Sequence, residues 1–340
     1  MTGQIPDTWP NGAVIRNRAG RTMDIILHLG AHRTGSTTFQ SYMTRNKTAL
    51  RTDGVEFWGP LRTRAGLFAG IQPNGGPCHG RNTHARAHGR IRMQLDKAAQ
   101  SGVKTLIVSD ENMIGSVRSN LRTRSLYPAI GERIARFAPA FGGRITRVVL
   151  NTRAQDLYWA SCAAYGVSRG HPMLRAIAFE AMTASARTWR DVIADLSCAV
   201  DGVDVAVLPF ERFAGRPDAM LRAMTRGGAP KNGADEWLNR APNTAVLREI
   251  LQSRSIKAPE LDGVTGRWRP FDAAQSAALR EDYADDMFWL TAGADGLATL
   301  TEDIAQPRAG QTRAGTIPPA GAIQKGHRHD FQERHLAQPG

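Results

Sequence analysis

Ile25-Ile26-Leu27 is an apolar run too short to be a helix, and it leads into a turn dense in glycine and hydroxyl groups, Gly30-Ala31-His32-Arg33-Thr34-Gly35-Ser36-Thr37-Thr38. Residues 37–50 then place Phe39, Tyr42, Met43 and Leu50 on one side of a helix. A buried strand that feeds a helix through a glycine-bounded turn is the opening unit of a parallel sheet, because parallel neighbours need a crossover that returns the chain to the same end. Further strands are expected at 104–108, 145–150 and 203–208, and helices at 85–100, 127–137, from about 156, and at 176–196, 217–225 and 271–290. With no internal repeat, this order predicts one α/β domain over residues 23–303, a three-layer α/β/α arrangement around a doubly wound parallel sheet.

The flanking segments have a different composition. Residues 1–22 carry Pro6, Pro10, Gly12, Arg16, Arg18 and Arg21 without an apolar segment, which predicts a disordered leader and not a secretory signal. Residues 304–340 are rich in Gly, Pro, Gln, Arg and His, too polar to offset the entropy of ordering, and predict a disordered basic tail. Residues 59–83 combine Gly, Pro, Asn and Arg into a long loop, of a length that more often serves function than mere connection.

A hydrophobic content of 41% in 340 residues suffices for a core, yet no stretch approaches the ~18 consecutive apolar residues of a membrane span. No membrane association is expected. Cys78, Cys162 and Cys198 are odd in number and far apart, which predicts a reducing, cytoplasmic location without disulfides or a structural zinc. The net charge of +13 points to anionic partners. Part of that excess sits beyond residue 306, where five basic residues face two acidic ones, and no recognition-helix, RNA-binding-strand or zinc-finger pattern accompanies it. Nucleic acid is therefore not the expected partner.

The strand–turn–helix context is one in which backbone N–H groups and a helix N-terminus cradle phosphate oxygens. Gly30 and Gly35 have the spacing of a nucleoside-triphosphate loop, but Ser36 stands where that loop carries lysine, and the basic residues are His32 and Arg33. A kinase or NTPase loses its main electrophile by that change, whereas an earlier cation suits a 5′-phosphosulfate whose bridging oxygen gains charge as the sulfuryl group leaves.

Residues 28–40, His-Leu-Gly-Ala-His-Arg-Thr-Gly-Ser-Thr-Thr-Phe-Gln, resemble the 5′-phosphosulfate loop of the sulfotransferase family, with Arg33 in place of the usual lysine. The resemblance implies a P-loop nucleoside-triphosphate-hydrolase-like fold and, as donor, 3′-phosphoadenosine 5′-phosphosulfate, with no metal. It implies donor binding by His32, Arg33, Thr34, Gly35, Ser36, Thr37 and Thr38, with Arg33 stabilising the departing oxygen. Arginine keeps the charge but is practically never deprotonated, so that role is electrostatic. Residues 151–161 resemble the family's 3′-phosphate element, with Arg153 at a strand end and Ser161 eight residues on, meeting at one phosphate. The Arg-Lys-Gly loop of soluble members is absent, and Arg240, Arg267 or Arg269 is the candidate substitute.

Acceptor activation calls for a base, and the strand ending at Val108 runs into Ser109-Asp110-Glu111-Asn112 at the sheet edge where ligands bind. Glu111 occupies the place where carbohydrate-modifying family members carry a glutamate base, with Asp110, His84 and His88 next in line. Two other readings stay open, a metal-holding acidic pair of an NTPase and a helix-capping residue. His79, His84 and His88 near Cys78 form a weak metal pattern, since Arg81, Arg86 and Arg90 repel a cation. Pro209-Phe210-Glu211 matches a recurrent family segment of structural role. Trp58, Trp159, Trp189, Trp237 and Trp268 serve as core or as a sugar platform. The expected partners are the nucleotide donor and an anionic or carbohydrate acceptor met by the loop at 59–83; a P-loop kinase and a non-catalytic nucleotide-binding module are the alternatives.

Overall fold

Successive residues of each central strand belong to two different apolar layers. Ile25, Leu27, Leu106, Val108, Val148, Leu150, Val205 and Val207 join one buried cluster, while Ile26, Ile107, Val149, Ala206 and Leu208 join another. Alternation puts neighbouring side chains on opposite faces of a sheet, so a sheet built from such strands must be covered on both sides. The computed structural model describes residues 23–71 and 82–301, all within one compact unit. The expected leader, the expected tail, Cys78 and His79 lie outside the described residues.

Six parallel strands form the sheet: β1 (Asp24–Gly30), β2 (Val55–Trp58), β3 (Thr105–Ser109), β4 (Ile145–Thr152), β5 (Asp204–Pro209) and β6 (Thr299–Leu300), in the order β2-β3-β1-β4-β5-β6. Helices Ser36–Arg45 and Pro217–Thr225 cover one face through Phe39, Tyr42, Met43, Met220 and Met224. Helices Thr83–Gln100, Ile130–Phe137, Gln155–Ser168, Trp189–Ala199, Thr244–Ser253 and Ala273–Thr291 supply the other. The architecture is three-layer α/β/α. The chain leaves β1 toward β2 and leaves β4 toward β5, in opposite directions, so a crevice opens between β1 and β4 at their C-terminal ends. Among the described residues no helix is long and apolar enough to cross a membrane.

Several boundaries differ from the sequence reading. The helix expected at 37–50 is two, Ser36–Arg45 and Lys47–Thr52, because the Asn46 amide donates to the carbonyls of Tyr42 and Asn232 at 2.9 Å each. The stretch 59–83 is not wholly loop: Pro60–Arg62 and Thr63–Leu67 are helical turns. The helix expected at 127–137 begins only at Ile130, since Tyr127 has a left-handed φ of 42°. The edge strands β2 and β6 are too short to register as periodic patterns.

The helix expected at 176–196 is also two, Ala176–Thr183 and Trp189–Ala199. Thr188 starts the second with a capping box: its hydroxyl accepts from the N–H of Arg190 at 3.2 Å, and its own N–H donates to Asp191 at 2.8 Å. The same hydroxyl donates to Asp286 at 2.7 Å, tying this helix to Ala273–Thr291. Thr188→Ala should therefore lower stability in urea denaturation by about 1–2 kcal/mol. An unchanged midpoint would show that Asp191 and Asp286 cap the helix unaided.

Candidate functional site

Loop geometry follows from three backbone positions in the left-handed region: Gly30 at φ 60°, Arg33 at 67° and Gly35 at 90°. A Cβ on Gly30 would stand 2.4 Å from the Ser36 hydroxyl, so glycine is required there on steric grounds as well. A Cβ on Gly35 would meet nothing within 4 Å, because that side of the loop faces open space. Thr34 is turned inward, its hydroxyl accepting from the Ala31 N–H at 3.1 Å and donating to the Ala31 carbonyl at 2.6 Å. Thr38 also points away from the crevice, its hydroxyl accepting from the Leu238 N–H at 3.0 Å. These two threonines shape the loop.

His32, Arg33, Gly35, Ser36, Thr37 and Glu111 line a cavity of about 550 Å³ together with Arg153 and Ser161. Arg240 and Arg267 complete its charged lining, giving four arginines against one carboxylate. Arg269 belongs to a separate cavity beside Asp156. The loop after β1 and the segment after β4 are joined directly: Arg153 Nη1 donates to the Arg33 carbonyl at 2.7 Å, and Arg33 Nε donates to the Ser161 hydroxyl at 3.1 Å. Ser161 thus accepts from Arg33, while it and Arg153 line the same cavity.

Burial and repulsion from Arg267 push the Arg153 pKa down to about 10. Its Nε is buried without a hydrogen-bond partner among the described residues, and its guanidinium lies 4.2 Å over the Phe210 ring. Burial likewise lowers the Arg33 pKa. Two such guanidiniums with little acidic compensation are stabilised by an anion in the cavity they line.

On the other side of the crevice, adjacent carboxylates differ in role. Asp110 is buried; it accepts from Thr63 at 2.5 Å and from Arg64 at 2.7 Å, and caps the turn Glu111–Met113 through the Asn112 N–H at 3.0 Å. Capping thus falls to Asp110. Glu111 reaches the cavity, with Gln40 donating to one oxygen at 2.8 Å and Arg64 to the other at 2.9 Å. Burial pushes its pKa up, but Gln40 and Arg64 outweigh that and hold it below the usual value. Glu111 is therefore ionised at neutral pH.

His32 is fixed by a relay in which Asn120 donates to Tyr158 at 2.9 Å and Tyr158 donates to Tyr127 at 3.1 Å. The Tyr127 hydroxyl accepts from the His32 N–H at 2.7 Å and meets Nδ1 at 2.9 Å. Burial lowers the His32 pKa, so the ring is neutral. Comparison with protein families, curated proteins and solved structures finds no match to this chain. The site has to be read from its own chemistry.

Other candidates fall elsewhere. His84 and His88 lie with ring centroids 4.2 Å apart, tilted by 52°, on helix Thr83–Gln100 and do not line the cavity. Trp58, Trp159 and Trp189 are core residues and Trp268 is nearly so, whereas Trp237 lines the cavity with Phe210. Glu211 accepts from the Ala154 N–H at 2.9 Å and from Tyr283 at 2.8 Å, a structural role at the β4 edge. Gln40, Arg64 and Tyr127 were not singled out from the sequence. Gln40 ends the quoted loop motif, a signal that was available; the others are brought in from distant segments without a local pattern.

Behind the loop, His28 is wholly buried on β1, and burial pushes its pKa down to about 4 from 6.5. Between those values the unfolded chain binds a proton that the folded chain does not, so stability falls as pH drops from about 6.5 toward 4. The contribution of His28 to that loss is on the order of 3 kcal/mol. His28→Gln keeps a donor and an acceptor without titrating, so urea denaturation at pH 4 and pH 7 should show a shallower decline in the variant. Parallel declines would show that His28 is not kept neutral by the fold.

Proposed function

We propose that the chain is a sulfotransferase that uses 3′-phosphoadenosine 5′-phosphosulfate as donor and a hydroxyl or amine as acceptor. The observation that carries this reading is the pairing of Arg33 and Arg153 at the β1/β4 crevice, in a cavity lined by four arginines. A donor with phosphates at two ends of one nucleoside matches two linked cationic positions better than a single polyphosphate tail does. The family resemblance of the loop around Arg33 agrees, as does the order of the elements, and both favour a P-loop-like topology. Two unpaired cysteines, Cys162 and Cys198, fit a cytoplasmic enzyme.

The donor supplies an activated sulfuryl group. The loop N–H groups and the Ser36 and Thr37 hydroxyls at the start of helix Ser36–Arg45 hold its 5′ end, where the helix dipole favours negative charge. Arg33 stabilises charge on the oxygen released from sulfur, and that stabilisation grows as the bond breaks. Arg153 binds the 3′ end. Glu111, ionised and on the β3 side of the same cavity, takes the acceptor proton as the acceptor atom bonds to sulfur.

The kinase reading finds less support. Its acidic metal-holder by position is Asp110, and both oxygens of that carboxylate are engaged by Thr63 and Arg64. Thermal shift separates the two. 3′-Phosphoadenosine 5′-phosphate should raise the melting temperature well above the effect of ATP with magnesium, because stabilisation follows occupancy of the native site. Arg153→Ala should weaken the 3′-phosphorylated nucleotide by about tenfold or more, the scale of one charge-assisted hydrogen bond. Stronger stabilisation by ATP with magnesium would select the kinase.

Glu111→Gln preserves size and polarity but removes the base. Donor affinity should survive, while turnover with an acceptor falls about 10²–10⁴-fold. Wild-type turnover in this variant would move the base elsewhere.

A further inference from the structure

Glu111 is oriented by a hydrogen-bond path that begins in the middle of the sheet. His28 sits opposite Ser109 in the β1/β3 register and is 1% exposed, with no place in the cavity lining. Its Nε2 lies 3.0 Å from Asn151 Oδ1 on β4 and its Nδ1 lies 2.8 Å from the Ser109 hydroxyl. The Asn151 amide nitrogen donates to the Leu208 carbonyl at 3.3 Å, so its oxygen faces the ring and must accept. Nε2 therefore carries the ring hydrogen, and Nδ1 accepts from Ser109. The Ser109 oxygen in turn accepts from Gln40 Nε2 at 3.2 Å, and the same nitrogen donates to Glu111 Oε2 at 2.8 Å.

Every hydrogen in this path has one acceptor: from Gln40 one amide hydrogen starts a run through Ser109 and His28 to Asn151 on β4, and the other goes to Glu111. We propose that His28 is a positioning residue that sets the orientation of the Glu111 carboxylate through Ser109 and Gln40. A leucine at this point would fill the layer without the desolvation of an imidazole, so packing alone does not call for histidine. The ring orients the Ser109 hydroxyl, that oxygen orients the Gln40 amide, and the amide fixes one carboxylate oxygen while Arg64 fixes the other. The importance of Glu111 as a base rests on the function proposed above; the path itself does not.

The titratable and charged groups facing Glu111 are Arg64 on the turn Thr63–Leu67, His32 on the loop and the adjoining Asp110. Tyr127 and His28 interact with Glu111 through charge as well; His28 is the one titratable group that the substitutions alter, so Ser109→Ala and Gln40→Leu, which alter none, carry the decision. Carbon-13 NMR of the full chain labelled at glutamate carboxyls would follow the Glu111 titration, with the signal assigned by Glu111→Gln. Gln40→Leu removes the last hydrogen bond and should raise the midpoint by about one unit. Ser109→Ala and His28→Leu should raise it by roughly half a unit, because they free the Gln40 amide without deleting it. His28→Gln, which retains an acceptor for Ser109 and a donor for Asn151, should restore the wild-type midpoint.

A role confined to stability would lower the melting temperature in Ser109→Ala and His28→Leu while leaving the Glu111 midpoint in place, and that result overturns the proposal. An unmoved midpoint in Gln40→Leu overturns it as well. Ser109→Ala decides the matter if His28→Leu does not fold. Because the readout is the carboxylate itself, a chain that transfers no sulfuryl group would sink the proposed function and leave this result standing.

Discussion

The hydrogen bonds of His28 to Ser109 and Asn151 tie the three central strands together at the end from which every functional loop departs. Backbone ladders hold parallel strands side by side, but the apolar faces of β1, β3 and β4 would tolerate a slip of two residues about as well as the native register. A buried imidazole tolerates none, because each of its nitrogens must find a partner. One register supplies Ser109 on one side and Asn151 on the other. With it fixed, the loops that follow β1, β3 and β4 leave the same end of the sheet and share one cavity.

Charge is distributed across that cavity unevenly. The β1 and β4 side holds Arg33 and Arg153, linked backbone to side chain and both lowered in pKa by burial. The β3 side holds Glu111, which Arg64 bridges to the buried Asp110 behind it. Folding this arrangement without an anion keeps like charges close in a partly desolvated crevice, a cost that ligand binding relieves. The arginines and the Glu111 carboxylate thus occupy opposite walls, the arrangement that the proposed group transfer between two substrates calls for.

Environment, not residue type, separates Asp110 from Glu111. Asp110 is 3% exposed and engaged by a cap, a threonine and an arginine. The next residue turns the opposite way, into the cavity, because a short helical turn follows the strand. A one-residue offset at a strand end is enough to turn a structural carboxylate into a candidate base.

The alternation of Ile25, Ile26 and Leu27, the other central strands and the helices between them was readable from periodicity, since both faces of a parallel sheet demand apolar residues. The loop from Gly30 to Ser36 was readable because glycine stands at two of its three positive-φ positions, and at one of them Ser36 approaches as well. Helix breaks at Asn46 and Thr188 were not, as they depend on hydrogen bonds to Asn232 and Asp286 from distant segments. Nor was the pairing of Ser161 with Arg33, or the convergence of Arg240 and Arg267 on the same cavity. Local sequence determined the strand, the turn and the charge they carry, because those follow from side-chain period and backbone sterics. Only the tertiary structure decided which charges meet, because electrostatic contact depends on distance in space, and strand order brings together residues that lie more than a hundred positions apart.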